Sequence, residues 1–191
     1  MVIRYSPCYA VAMIVITGAS DGLGYQLAKL YKEAGETVVN ISRRQCEHAE
    51  HNVLTDLRQS SEVEKAAQHV LAIDEPLEAV INCAGVMSFQ PLGEITADEI
   101  ERVLSTNVTA AMLLVSKLSN RITHDEADIV NVASTIGLKG YADQAAYGVS
   151  KWAMRGFSAN LQVELKDTPC RVISFCVGGF NSEMAKKVTG Q

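Results

Sequence analysis

The sequence has no C-x-x-C pair, no clustered histidines, no basic run longer than two residues and no apolar run approaching the length of a membrane span. Each absence removes a class of protein. Without a His/Cys cluster at ligand spacing, no metal site is expected. The five scattered cysteines (Cys8, Cys46, Cys83, Cys170, Cys176), an odd number, read as reduced thiols of a cytoplasmic protein. Lys and Arg never gather beyond Arg43-Arg44 and Lys186-Lys187, and the net charge is −5, so no nucleic-acid partner is expected. A membrane span needs about 20 consecutive apolar residues, whereas the stretch from Ala10 to Ile16 is short and runs straight into glycines. No repeat, low-complexity tract or linker divides the chain, and a hydrophobic share of 48% with 20% charged residues is ordinary for one globular domain.

What is present is an alternation. Apolar runs rich in Val and Ile alternate with stretches of helical period, the pattern of βαβ units and of a parallel sheet covered on both faces. Strands are expected at Met13 to Thr17, Thr37 to Ile41, Asn52 to Leu54, Leu77 to Asn82, Asp128 to Ala133 and Arg171 to Val177. Helices are expected at Gly22 to Ala34, Ser60 to Ala72, Thr96 to Thr123 with a break near Asn107, and Ala145 to Lys166. Gly35 marks the end of the first helix, and Thr96-x-x-Glu99 is a capping box before the third. The fold class is α/β, a doubly wound, Rossmann-type parallel sheet in three αβα layers. Residues 1–12 lack periodicity and are expected to form an arm or an upstream-start extension, with 13–191 as the single domain.

Two motifs carry chemistry. Directly after the first strand stands Thr17-Gly18-Ala19-Ser20-Asp21-Gly22-Leu23-Gly24. A strand, a glycine turn and a helix start in that order let backbone N–H groups approach a pyrophosphate, which then sits on the helix dipole. Far downstream, Tyr147 and Lys151 are four residues apart on an expected helix and so share one face. A phenol with an ordinary pKa of about 10 is a poor acid, and a fixed cation beside it lowers that value. A tyrosine so tuned can exchange a proton with an alcohol or a carbonyl. The plain alternative is a surface lysine beside a half-buried tyrosine.

T-G-x-x-x-G-x-G followed by Y-x-x-x-K resembles the short-chain dehydrogenase/reductase family in its compact form. Further elements match in order from about Met13 to Met184: Asn82-Cys83-Ala84-Gly85, Asn107, and Ser134 thirteen residues before Tyr147. The resemblance implies an oxidoreductase passing hydride between a nicotinamide cofactor and a carbonyl or secondary-alcohol substrate. It implies that Tyr147 carries the proton, Ser134 holds the substrate oxygen, Lys151 tunes Tyr147 and binds ribose, and Asn107 supports a water beside Lys151. Asn107 also has a purely structural reading as a helix-bending residue, Ser134 one as a strand-end cap, and Cys83 one as a packed core thiol.

The same resemblance assigns the cofactor contacts to Gly18, Ser20, Asp21, Gly22, Leu23, Gly24, Ser42, Arg43, Arg44, Asp56, Asn82, Cys83, Ala84, Gly85, Tyr147, Lys151, Val177, Gly178, Gly179 and Ser182. An acidic residue at the end of the second strand would favour NAD, and a cation would accept a 2′-phosphate. Ser42-Arg43-Arg44 stands there, so NADP is favoured over NAD, with a surface arginine pair as the alternative. Asp21 departs from the basic residue that many NADP members place before the second glycine. Val177-Gly178-Gly179 replaces the family's Pro-Gly, and Ser182 stands for its threonine. Family members commonly continue with further helices and a final strand, so that strand is expected to be absent and the substrate loop shortened. Tyr141, Asp143, Gln144, Met87, Phe89 and Phe180 are candidates to border the substrate. A homodimer is expected through the two long helices, using Ala110, Met112, Leu113, Trp152, Met154, Phe157 and Leu161. The competing functional reading is an NADP-binding regulatory or scaffold protein with little turnover. A sugar-nucleotide epimerase is disfavoured by the glycine spacing.

Overall fold

A computed structural model describes residues 11–179. The strands are β1 (Met13–Thr17), β2 (Thr37–Ser42), β3 (His51–Leu54), β4 (Leu77–Asn82), β5 (Asp128–Ser134) and β6 (Val172–Val177). All pair in parallel in the order β3-β2-β1-β4-β5-β6. The helices are α1 (Gly22–Glu33), α2 (Ser60–Leu71), α3 (Ala97–Leu104), α4 (Ala110–His124) and α5 (Ala145–Glu164). Short 3₁₀ turns at Leu92–Glu94 and Thr135–Gly137 were not among the elements expected from the sequence; each is too brief to carry a period.

Period-two alternation builds the layers. In β1, Met13 and Val15 join the core beneath α2, α4 and α5, while Ile14 and Ile16 join the core beneath α1. Because both faces are covered, β1 reads as a continuous apolar run rather than an alternating one. Leu114, Leu118 and Ile122 of α4 are at most 1% exposed against β1, β4 and β5. Truncating any of them to Ala would cost about 2–5 kcal/mol. Along β6 the cover ends, and Ile173 and Phe175 are exposed while Val172 is buried.

The helix ends follow their signals with one difference. Gly35, at φ +88°, terminates α1, a backbone that side chains other than glycine rarely adopt. Thr96 caps α3 by accepting from the Glu99 N–H at 3.2 Å. The capping box is only half closed, because the Glu99 carboxylate turns to Arg102 instead, at 2.7 Å. The break expected near Asn107 is a π-helical turn over Ser105–Thr109 that joins α3 to α4. The arm expected over residues 1–12 lies almost wholly outside the described residues; Ala12 already bonds to the Thr37 N–H at 3.0 Å as an approach to the sheet.

Candidate active site

Strand order reverses between β1 and β4, and in an open parallel sheet a ligand crevice opens at that point, beyond the carboxyl ends of the strands. The glycine turn lies there. Gly18 and Gly22 take φ of +75° and +56°, and a Cβ on Gly24 would stand 2.4 Å from the Gly18 carbonyl oxygen. Helix and strand approach this closely only with glycine. Thr17 ties the turn to the end of β4, its hydroxyl accepting from the Cys83 and Ala84 N–H groups at 3.1 Å each. Ala84 in turn leaves no room for a Cβ on Gly18, its Cα standing 2.9 Å away. The turn geometry, with α1 starting at Gly22, fits the pyrophosphate of a dinucleotide. Asp21 departs from the simplest seat: as N-cap it accepts from Gly22 N–H at 2.7 Å, placing a carboxylate at the helix start.

The second half of the site assembles from β5, α5 and the π turn. Tyr147 and Lys151 are 8% and 5% exposed, with the Lys151 Nζ 5.7 Å from the tyrosine ring centre. Ser134, at the end of β5, stands near enough to the Tyr147 phenol to lower its pKa. Gly137 permits this approach, since a Cβ there would lie 3.0 Å from the Lys151 carbonyl oxygen. Asn107 is buried and holds the loop after β4 at both ends of one residue, accepting from Val86 N–H at 2.7 Å and donating to Val86 C=O at 2.9 Å. Its amide also donates to the Ser150 hydroxyl at 3.0 Å, which donates to the Tyr147 carbonyl at 2.7 Å. The chain Asn107–Ser150–Tyr147 thus fixes the tyrosine's turn of α5.

Burial dominates the electrostatics of Tyr147. Burial raises its pKa, and the nearby Ser134 hydroxyl pulls against that rise. The Lys151 ammonium donates to the Val132 carbonyl at 2.9 Å and is itself pushed down to about 8 by burial. Desolvation disfavours the charged form of both groups. Cys83 follows the same rule, its thiol pushed up to about 11 by burial against the opposing field of Lys151, as fits a packed thiol. Asn82, below it, donates to Asn131 Oδ1 at 2.8 Å, and Asn131 donates to the Ser158 hydroxyl at 2.9 Å, a buried relay across β4, β5 and α5.

At the end of β2 the charged residues are already paired. Arg44 meets Asp21 at 3.2 Å, and Ser42 is buried with its hydroxyl donating to the Arg44 carbonyl at 2.7 Å. Asp56, one of the expected cofactor contacts, is gripped by the Arg58 guanidinium at 2.5 Å, which holds its carboxyl below the usual range. Arg43 is exposed and adds to that lowering. Sequence reasoning did not single out Arg58, although D-x-R two residues apart is a local signal. Ser20, Leu23, Gly85 and Val177 lie about the crevice at intermediate exposure, and Gly178 and Gly179 are exposed. Ser182 and Phe180 fall outside the described residues. Of the substrate-border candidates, Gln90's neighbour Phe89, Tyr141 and Asp143 are exposed, and the Gln90 N–H donates to the Asp143 carbonyl at 2.7 Å, joining the two rim loops. A hollow of about 550 Å³ between α2 and α4 lies away from Tyr147 and is lined by Ser60, Glu64, Thr109, Met112, Leu113 and Ser116. No group of His, Cys, Asp and Glu among the described residues could hold a metal ion.

Fold and site together define a nucleotide-binding oxidoreductase of the Rossmann type. The short chain dehydrogenase family model matches residues 12–191. An uncharacterised oxidoreductase of Listeria monocytogenes is 30% identical, over 93% of this chain and 77% of that protein. The chain belongs to the short-chain dehydrogenase/reductase family, whose members depend on nicotinamide cofactors. Carbonyl reductase family member 4 of Danio rerio is 28% identical over 90% of this chain and 77% of its own. Among solved structures, a 4-hydroxyisoleucine dehydrogenase complexed with NADH superposes with a TM-score of 0.83 at 24% identity, covering 93% of this chain and 79% of the other. A closed-form serine dehydrogenase complexed with NADP+ also gives 0.83, at 22% identity, covering 92% and 75%. At these identities the structural likeness speaks for the fold.

Proposed function

We propose that this chain is an NADP-dependent reductase of a carbonyl compound, or in reverse a dehydrogenase of a secondary alcohol, with Tyr147 as the group that exchanges the proton. The supporting observation is the meeting of Ser134, Tyr147 and Lys151 at the end of β5, beside the crevice opened by the glycine turn. A nicotinamide cofactor, when bound, supplies or accepts the hydride. The protein's part is positioning and proton supply. Gly18, Gly22 and Gly24 shape the turn that would hold the pyrophosphate, and Lys151 would hold ribose hydroxyls. Ser134 would donate to the carbonyl oxygen, polarising it as charge develops. Tyr147 Oη would then release its proton to that oxygen. A buried phenol whose pKa is raised stays protonated at neutral pH, which suits the reducing direction. Asn107 holds the loop after β4 and, through Ser150, the backbone of Tyr147.

Arg43 is the cation open to a 2′-phosphate, which supports NADP over NAD. The four described cysteines are free, in keeping with a reducing cytoplasm, and no helix among the described residues is long and apolar enough to cross a membrane. The homodimer expected through the long helices changes in detail. Ala110, Met154 and Leu161 are core, and Leu113 and Phe157 pack against it. The exposed apolar side chains of α3, α4 and α5 that a partner could cover are Ile100, Met112, Val149, Trp152 and Val163. A scaffold role with little turnover is the second reading, favoured by the burial that disfavours the charged forms of both Tyr147 and Lys151. Absorbance-monitored NADPH oxidation with a panel of aldehydes, ketones and quinones separates the two. Turnover with any of them supports the reductase. Tight NADPH binding without turnover across the panel supports the scaffold, and no binding removes both.

A further inference from the structure

The loop that follows β4 is tied down residue by residue. Asn107 holds both backbone groups of Val86, at 2.7 and 2.9 Å, and the Arg102 guanidinium donates to the Met87 carbonyl at 2.8 Å. Gln90 is held from the other side, its N–H donating to the Asp143 carbonyl at 2.7 Å, so the loops after β4 and β5 meet along one seam. Asp143 takes the left-handed region, φ +58°, one residue before Gln144, the N-cap of α5, and four before Tyr147. The seam therefore adjoins the first turn of α5, where the phenol stands.

The Gln90 side chain is the exception to this order. Its amide oxygen is shielded from solvent and has no hydrogen-bond partner, and among the described residues its amide nitrogen makes no bond either. Asn40 and Asn82 also bury an unpartnered oxygen, but each engages its amide nitrogen at 2.8 Å, Asn40 with Asn52 and Asn82 with Asn131. Their orientation follows from the bond they make. No such bond orients Gln90. A buried acceptor left without a donor is destabilising, whereas an apolar side chain of the same shape in its place would not be. Phe89 beside it in the chain and Tyr141 on the other loop are 44% and 45% exposed, leaving aromatic rings at the crevice mouth.

We propose that Gln90 is a specificity-determining residue whose amide oxygen receives a hydrogen bond from the substrate, and that the substrate is a carbonyl compound carrying a hydroxyl or N–H group within a few bonds of its carbonyl. The inference rests on the proposed reductase and narrows its substrate class. Ser134 and Tyr147 would meet the carbonyl oxygen, which every ketone has. Gln90 would meet the group that distinguishes one ketone from another, because a donor satisfies the orphan oxygen and a plain ketone leaves it buried and unpaired.

The test measures kcat/KM with NADPH for the native chain and for Gln90→Met, which keeps the length of the side chain without its amide. The substrates are an α-hydroxy ketone, a β-hydroxy ketone, their methoxy analogues and plain ketones of matching size. The native chain is expected to favour at least one hydroxy ketone about tenfold over both its methoxy analogue and the plain ketone, the size of one hydrogen bond to an otherwise unpaired group. In Gln90→Met that ratio is expected to fall to within about twofold of unity. Urea unfolding of the cofactor-free chain gives a second reading: Gln90→Met loses no internal hydrogen bond and removes a buried unpaired oxygen, so its midpoint is expected at or above the native one. A native ratio near unity overturns the proposal, as does a preference that survives in Gln90→Met. A lower midpoint for Gln90→Met also overturns it, because the amide would then be holding the two loops. Absence of turnover with every ketone removes the proposed reductase along with it, an outcome distinct from turnover without preference.

Discussion

At the end of β1 the polar groups facing the crevice belong to backbone turned by glycine, and the charges beside them, Arg44 and Asp21, keep side chains 67% and 41% exposed. At the end of β5 the polar groups belong to side chains, and Asn107, Tyr147, Ser150 and Lys151 are each at most 8% exposed. The first region holds its shape through close contacts that only glycine allows, so its charges are adjustable at low energetic cost. The second region buries ionisable groups, which is expensive, and keeps them in place by a closed set of hydrogen bonds. On the proposed function, binding and proton transfer would thus be divided between a surface that can be retuned and an interior that cannot.

The largest effect on stability is expected at Lys151. Its pKa is depressed to about 8 from an unfolded value near 10.4, so between those limits the unfolded chain binds more protons and stability from this group rises with pH. At pH 7 the buried charge opposes folding by roughly 3 kcal/mol. Lys151→Met, which fills the same space without charge, is expected to raise stability in urea unfolding by up to that amount while removing turnover. The gain should narrow as pH rises from about 8 toward 10. A variant less stable than the native chain at pH 7 would mean that the interior region carries no such electrostatic load.

Gly24→Ala attacks the other region. Its Cβ would stand 2.4 Å from the Gly18 carbonyl oxygen, so helix α1 must shift away from the turn. A loss of about 1–3 kcal/mol in thermal or urea unfolding is expected, together with weaker dinucleotide binding. Unchanged affinity would separate the turn from the cofactor. Asn107→Ala leaves the Val86 N–H and C=O and the Ser150 hydroxyl short of partners, for an expected cost of about 2 kcal/mol. Dinucleotide affinity near the native value with a fall in kcat would place Asn107 with the interior region, and a loss confined to affinity would move it to the other.

The two regions also differ in how far the sequence disclosed them. The glycine turn and all six strands could be read within a residue or two, because steric need and apolar runs are written locally. The π turn was visible only as a break at Asn107, since an asparagine mid-helix signals disruption without saying which kind. Side-chain partners were the hidden part. Arg44 finds Asp21 from 23 residues away, and Lys151 finds the Val132 carbonyl from 19, because both pairings are made by the sheet rather than by the chain. For that reason spacing put Lys151 beside Tyr147 but disclosed neither the burial that raises the phenol's pKa nor the Val132 carbonyl that holds the ammonium.

The most direct measurement pairs dinucleotide affinity with turnover in Tyr147→Phe, which keeps the ring and removes the hydroxyl. The expected result is NADPH affinity within about twofold of the native chain and carbonyl reduction slower by at least about a hundredfold, the size of a lost general acid. Reduction at the native rate by Tyr147→Phe would contradict the assignment of the proton to Tyr147.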